Sequence, residues 1–170
     1  MEETIDILNK SGEKLGYAKF RKDQLEKNEY ALVIHLWIQT SDGQFLVQQR
    51  SSNKKVDPLK WSTVAGFVME DEDSFSTIKR ELEEELGYIP KTVNYNFFKR
   101  FFPKDGIQHI ADVYFLYEDI SLDEVMLQAE EVAGVKILTK EEIRKQVELG
   151  VFNNFDDMYD NYYSQIFREN

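Results

Sequence analysis

Residues 66–88 read GFVMEDEDSFSTIKRELEEELGY, and they contain the clearest helix pattern in the chain. Four apolar side chains recur at helical spacing and share one stripe about 80° wide: Phe75, Ile78, Leu82 and Leu86. Asp73 or Ser74 can cap the start of this helix, and Gly87 is placed to end it. The stretch therefore predicts a helix over 74–86 with one face against the core.

Three glutamates occupy an arc about 100° wide beside that apolar stripe. They are Glu81, Glu84 and Glu85. Like charges at this spacing destabilise a helix by about 0.2–0.5 kcal/mol per exposed pair. Mg²⁺ prefers carboxylate and phosphate oxygens, so a bound cation would reverse that cost. A solvated, charged helix face is the alternative, since Arg80 can pair with Glu84 and Lys79 with Glu83.

The spacing of the whole stretch resembles the Nudix box, G-x5-E-x7-R-E-U-x-E-E-x-G-U, in which U is a bulky aliphatic residue. The residues that match in register are Gly66, Glu72, Arg80, Glu81, Leu82, Glu84, Glu85 and Gly87. Two positions depart: Tyr88 replaces the last aliphatic residue, and Asp71 stands where many members have glycine. Neither position is an expected ligand, so the chain is identified as a member of this family.

The resemblance implies an α/β (α+β) protein with the Nudix fold, an α/β/α sandwich around a mixed sheet. It also implies Mg²⁺-dependent hydrolysis of a nucleoside diphosphate linked to another moiety, with Mn²⁺ as the alternative ion. By the family pattern, the metal ligands are Glu81, Glu84, Glu85 and the carbonyl of Gly66. Arg80 orients the glutamates, and Glu72 supports the junction between loop and helix.

The physical chemistry of the reaction agrees with this pattern. A diphosphate is anionic and a poor electrophile, and divalent ions offset its charge and polarise its phosphorus. A carboxylate then accepts the proton of the attacking water. Glu84 and Glu85 are both candidates for this base.

Residues outside the box supply further candidates. Family members often add an acid from a later loop, and Glu130 and Glu131 precede a predicted strand. Arg50 ends another strand and can bind a phosphate with two hydrogen bonds. His109 lies near a turn and can line the substrate cleft. A surface or core position without a role in the site is the alternative for each of them.

Residues 30–50 and Trp61 resemble the branch of the family that includes isopentenyl-diphosphate isomerase. The catalytic cysteine of that isomerase would fall at Ala65, a neighbouring histidine at Phe67 and a metal-binding histidine at Ala31. All three are absent, so the resemblance implies a hydrolase and not an isomerase. A non-catalytic Nudix domain that binds a nucleotide or a protein partner is the alternative function.

The other segments predict one domain over 1–170, with an N-terminal hairpin at about 1–28 and C-terminal helices at about 139–168. Strands are predicted at 4–8, 15–20, 30–39, 44–50, 61–65, 92–102, 107–117 and 132–138. Further helices are predicted at 22–27, 139–149 and 154–167. Gly66 is expected to end the strand that precedes the box.

The composition limits the classes of partner. Of 170 residues, 21 are basic and 32 acidic, which gives a net charge of −11. Such a surface repels nucleic acids and anionic membranes, so we expect neither as a partner. The family resemblance implies a small-molecule diphosphate instead. The chain has no cysteine and shows no signal-peptide pattern at its start, so we expect a cytoplasmic protein. A homodimer is compatible with the sequence.

Overall fold

A computed structural model describes residues 2–168 as two sheets flanked by helices. The strands are β1 Thr4–Leu8, β2 Lys14–Phe20, β3 Ala31–Gln39, β4 Phe45–Arg50, β5 Trp61–Ser62, β6 Val64–Phe67, β7 Asn96–Phe101, β8 His109–Tyr117 and β9 Val132–Leu138. The α-helices are α1 Ser74–Leu86, α2 Lys140–Glu148 and α3 Tyr162–Ile166, and two 3₁₀ turns cover Leu122–Glu124 and Phe155–Asp157.

The larger sheet has seven strands in the order β5-β4-β3-β8-β7, with β6 also paired to β3 and β9 to β4. β3 and β8 run parallel along the whole of β3, and the other pairs are antiparallel. β1 and β2 form a separate hairpin, as expected. The predicted fold class, a mixed sheet flanked by helices, is confirmed.

The central strand β3 is buried on both faces because each face packs against helical segments. Val33 and Trp37 face an aromatic cluster built mainly from the C-terminal segment. Ile34, Leu36 and Ile38 face α1 and share a core with its Ile78, Leu82 and Leu86. The alternation of β3 therefore determines which side of the sheet carries α1.

Helix α1 has the bounds and the caps that the sequence predicts. The Asp73 side chain accepts a hydrogen bond of 2.7 Å from the Ser76 backbone N–H. Gly87 ends the helix in the left-handed conformation, with φ of 55°. Within residues 2–168, no helix is both long and apolar enough to cross a membrane.

Two predicted elements, the helix at 22–27 and the strand at 61–65, differ from the structure. No helix forms at 22–27, because the Glu26 carbonyl accepts from the Glu29 backbone N–H and the Gln108 side chain instead of continuing a helix. Gly66 does not end the strand before the box, since β6 continues through it and pairs it with Ile34. The predicted strand at 61–65 divides into β5, paired with β4, and β6, paired with β3.

The predicted helix at 154–167 is interrupted. Asn161 adopts φ of 52°, and only a short helix, α3, follows it. The break lets Tyr159, Tyr162 and Tyr163 all become buried against the sheet. Burial of three aromatic rings therefore outweighs the local helical pattern.

Candidate active site

Arg80 is the centre of a hydrogen-bond network at the middle of α1. Its Nε and Nη2 donate to the two carboxylate oxygens of Glu72, at 2.9 Å and 3.0 Å. Nη2 also donates to the Phe67 carbonyl at 2.9 Å. Nη1 bridges Glu81 at 2.7 Å and Glu84 at 3.2 Å. The guanidinium thus ties the loop before α1 to the acidic face of the helix.

Glu72 is held as a carboxylate by this network. Besides Arg80, its Oε2 accepts from the Thr77 hydroxyl at 2.8 Å and from the Met69 backbone N–H at 3.2 Å. The hydrogen bonds from Arg80 are the main reason that the pKa of Glu72 lies below its usual range. Glu72 is therefore hydrogen-bonded both to the loop before α1 and to α1 itself.

Glu81 is buried against the backbone of β6, with 8% of its surface exposed. A Cβ atom at position 66 would lie 1.9 Å from Glu81 Oε1, so only glycine allows this approach. Burial raises the pKa of Glu81, although the charge of Arg80 opposes the shift. The structure thus brings Gly66 and Glu81 together, as the box implies.

Glu85 lies one helical turn further along α1 and is 7% exposed. Its Oε2 accepts a hydrogen bond of 2.6 Å from Gln48 Nε2 on β4. Burial, and next the charge of Glu81, raise the pKa of Glu85 to about 8. Within residues 2–168, no lysine or arginine forms an ion pair with Glu85.

Glu84 differs from the other two glutamates because its side chain is 56% exposed and points to the rim of the site. Its nearest charged partner is Arg80, which it shares with Glu81. Among residues 2–168, no three acidic or histidine side chains stand around one common point. The helix spacing therefore places the three carboxylates on one side of α1 without assembling them into a closed site.

The donor set nevertheless fits a hard divalent cation. Glu81 and Glu85 are buried carboxylates of like charge, which is costly unless a cation or protons offset it. The buried Oε1 of Gln48, beside Glu85, has no hydrogen-bond partner in the described chain. Rotation of the exposed Glu84 side chain would add a third oxygen donor. The carboxylate oxygens of the three glutamates match the oxygen-rich coordination that Mg²⁺ and Mn²⁺ prefer.

An open cleft of about 770 Å³ lies next to the exposed side of α1, where Glu84 is. Its lining includes Arg80, Glu83 and Glu84 of α1 and also Glu130 and Glu131. Glu131 forms an ion pair with Lys54, and its charge contributes to the raised pKa of Glu85. Both predicted acids of the later loop therefore face the site.

Arg50 ends β4, two residues after Gln48 on the same strand face. Its Nε donates to the Val56 carbonyl at 3.1 Å, and its charge lowers the pKa of Glu85. His109 lies elsewhere: it pairs with Ala31, and its ring packs edge-on against Phe67 at 5.1 Å. By strand alternation, His109 is on the sheet face opposite to α1. The structure thus brings Arg50, but not His109, beside the glutamates.

Two residues near the site were not predicted from the sequence. Gln48 shares a strand face with Leu46 and Arg50, so simple alternation could have indicated it. Arg21 lies over the Phe67 ring at 5.0 Å and lowers the pKa of Glu81. Its approach depends on the docking of the N-terminal hairpin, and no local pattern indicates it.

Both departures from the box have structural explanations. Asp71 adopts φ of 64°, the left-handed conformation that glycine adopts most easily. Tyr88 is buried in the α1 core, and its hydroxyl donates to Glu118. Glu118 also accepts from the Lys91 backbone N–H at 3.0 Å. The tyrosine therefore fills the aliphatic position and anchors the following loop.

Comparisons with known proteins agree with this geometry. The NUDIX domain family matches residues 29–158. An uncharacterized Nudix hydrolase of Listeria monocytogenes is 33% identical over 151 residues, which are 88% of each chain.

Solved structures agree at the level of the fold. DR0079 from Deinococcus radiodurans superposes with a TM-score of 0.76 at 20% identity, over 98% of this chain and 100% of that one. The NUDIX domain of Shewanella oneidensis NrtR, complexed with ADP ribose, has a TM-score of 0.59 at 19% identity, over 81% and 86%. With the family match and the box geometry, these findings show that the chain belongs to the Nudix hydrolase family.

Proposed function

We propose that this protein hydrolyses the diphosphate bond of a nucleoside diphosphate linked to another moiety, with Mg²⁺ as its cofactor and Mn²⁺ as the alternative. The observation that carries the proposal is the buried pair Glu81 and Glu85 on the same helix as Glu84, which lines an open cleft. Buried carboxyl groups with raised pKa values are typical of functional sites. A cation and an anionic substrate would together offset this concentration of charge.

Each residue of the site has a proposed role. Glu81, Glu84 and Glu85 would hold Mg²⁺, with the Gly66 carbonyl and an acid from Glu130 or Glu131 completing the protein ligands. When bound, the ion would offset the charge of the diphosphate and polarise its phosphorus. Arg80 would keep the glutamates in position through its bonds to Glu72 and Phe67.

The base that accepts a proton from the attacking water is Glu84 or Glu85. Glu84 lines the cleft, whereas Glu85 is buried and accepts a hydrogen bond from Gln48. Glu84 therefore reaches water from the solvent more directly. Glu85, which is buried, is better placed to bind the metal.

Two further residues are proposed to bind the substrate. Arg50 stands beside Glu85 and can form two hydrogen bonds with a phosphate group. His109 lies on the other sheet face, at the strand end where β6 passes into the box loop, and its contact with substrate stays a prediction. The single-domain organisation, the cytoplasmic location and the absence of a nucleic-acid partner also stay predictions.

Hydrolysis without isomerisation is the expected chemistry. The three isomerase positions hold Ala31, Ala65 and Phe67, which carry no acid–base group, and the chain has no cysteine. An unactivated double bond cannot move without placed proton donors and acceptors. We therefore propose that the chain is related to the isomerase-like branch in its fold but does not catalyse the isomerase reaction.

A substrate panel in ¹⁸O-labelled water tests the proposal. We would incubate the protein with ADP-ribose, other nucleotide sugars, dinucleotides, nucleoside diphosphates, coenzyme A and isopentenyl diphosphate, with Mg²⁺ or with EDTA. We expect Mg²⁺-dependent release of a nucleoside monophosphate, with ¹⁸O in one product. Binding without turnover would favour the non-catalytic ligand-binding domain. Formation of dimethylallyl diphosphate, or products without label, would contradict hydrolysis.

A further inference from the structure

We propose that Gln48 is a positioning residue that fixes the Glu85 carboxylate for metal binding. The proposal rests on the function proposed above and adds a residue outside the Nudix box. Gln48 lies on β4, faces α1 and is 3% exposed. Its Nε2 donates to Glu85 Oε2 at 2.6 Å, a contact between residues 37 positions apart.

This hydrogen bond determines how Glu85 presents its two oxygens. Oε2 is engaged by Gln48, and within residues 2–168 Oε1 forms no hydrogen bond. A glutamate side chain has three rotatable bonds, and the amide restrains the last of them. Partners of this kind orient metal ligands and reduce the ordering cost when the ion binds.

The neutrality of Gln48 suits this role. A lysine or arginine at position 48 would pair with Glu85 and compete with an incoming cation. An amide N–H orients the carboxylate and leaves its negative charge available. Arg80 already binds Glu81 and Glu84 on the other side of the site. Of the three glutamates, Glu85 is thus the one whose orientation depends on a neutral donor.

A purely structural role explains Gln48 poorly. Its Oε1 is buried without a partner, which destabilises the fold. Leu46, on the same strand face, shows that an apolar side chain packs well against α1. A leucine or methionine at position 48 would avoid the unpaired oxygen, so packing alone does not favour the amide.

The test measures Mn²⁺ binding to the protein without substrate, by electron paramagnetic resonance titration. Gln48→Met keeps the side-chain length but removes the donor, and Gln48→Asn keeps an amide that is too short to reach Glu85. Gln49→Met is the matched control, because Gln49 lies on the opposite strand face and donates to the Leu59 carbonyl. We expect about 10–100-fold weaker Mn²⁺ binding in both Gln48 variants and none of this loss in the control.

Turnover and stability separate positioning from folding. We expect kcat to fall in the Gln48 variants at saturating Mg²⁺ while KM for the diphosphate changes little. If Gln48→Met does not fold, Gln48→Asn supplies the same comparison. Mn²⁺ affinity and kcat equal to those of Gln49→Met, in a folded Gln48 variant, would overturn the proposal even if melting temperatures differ. If Glu85→Gln leaves Mn²⁺ binding unchanged, the metal site itself is wrong, and both proposals fail together.

Discussion

Arg80 holds Glu72 through two guanidinium nitrogens, at 2.9 Å and 3.0 Å. The same guanidinium reaches the Phe67 carbonyl and the carboxylates on its own helix. One side chain therefore fixes the loop before α1 relative to the glutamates. This arrangement explains why an arginine is needed at a position that does not itself have to bind metal.

Replacement of Arg80 by lysine should destabilise the protein and lower turnover. A lysine keeps the charge but cannot bind Glu72 with two nitrogens and reach Phe67 as well. The expected loss is about 1.5–3 kcal/mol, the range for hydrogen bonds to charged groups. Urea unfolding checks this value, with the exposed Arg144→Lys as control. If both variants lose the same free energy of unfolding, the hydrogen-bond network of Arg80 makes no specific contribution to stability.

Replacement of Asp71 by glycine should stabilise the protein slightly. The left-handed conformation costs a non-glycine residue about 1–2 kcal/mol, and glycine loses about 0.5–1 kcal/mol more entropy on folding. We therefore expect a gain of about 0.5 kcal/mol in urea unfolding. Asp23→Gly, at an exposed position without positive φ, should lose stability instead. A loss at position 71 as large as at position 23 would contradict the strain at Asp71.

The fold could be predicted where the determining signals are local. Helix α1 has its cap, its apolar stripe and its terminal glycine within 15 residues, so its bounds were predicted correctly. The segments at 22–27 and 154–167 failed because their outcome depends on distant partners. Gln108 binds the first of them, and the sheet buries the tyrosines of the second.

The candidate site shows the same limit. Spacing indicated Glu81, Glu84 and Glu85 because they lie on one helix. It could not show that Glu84 is exposed while Glu81 and Glu85 are buried, since that depends on where β4 and β6 lie. The contact of Gln48 with Glu85 also crosses two elements, so no motif contains it.

The stability of the metal-free protein should fall as the pH rises through the pKa of Glu85. Burial raises the folded-state pKa of Glu85 to about 8, from about 4.5 when unfolded. Between these values the folded state binds more protons than the unfolded state, so stability falls with rising pH. The slope for one group is at most about 1.4 kcal/mol per pH unit.

Glu85→Gln removes this titration and should be more stable than the wild type at pH 8 in EDTA. The advantage should shrink as the pH falls towards 4.5. Urea unfolding at several pH values measures the difference, with Glu83→Gln on the exposed side of α1 as control. A pH-independent difference, or the same profile in the Glu83 variant, would contradict the buried charge at position 85.

Mg²⁺ should raise the melting temperature because it binds the folded state. An ion at 100 times its Kd stabilises by about 2.7 kcal/mol. Glu85→Gln should respond less to Mg²⁺ at the same concentration, since one proposed ligand has lost its charge. Differential scanning calorimetry with and without Mg²⁺ checks this. An identical shift in the variant would place the ion elsewhere.

The most direct test of the central claim is Mg²⁺-dependent turnover of Glu84→Gln and Glu85→Gln on the best substrate of the panel. Glu148→Gln, at an exposed position of α2 away from the cleft, is the control. Because Glu84 and Glu85 are assigned metal binding and proton transfer, each variant should lose at least about 10²-fold in kcat. The control should keep its activity. Turnover near the wild-type value in both Glu84→Gln and Glu85→Gln would contradict the assignment of catalysis to the carboxylates of α1.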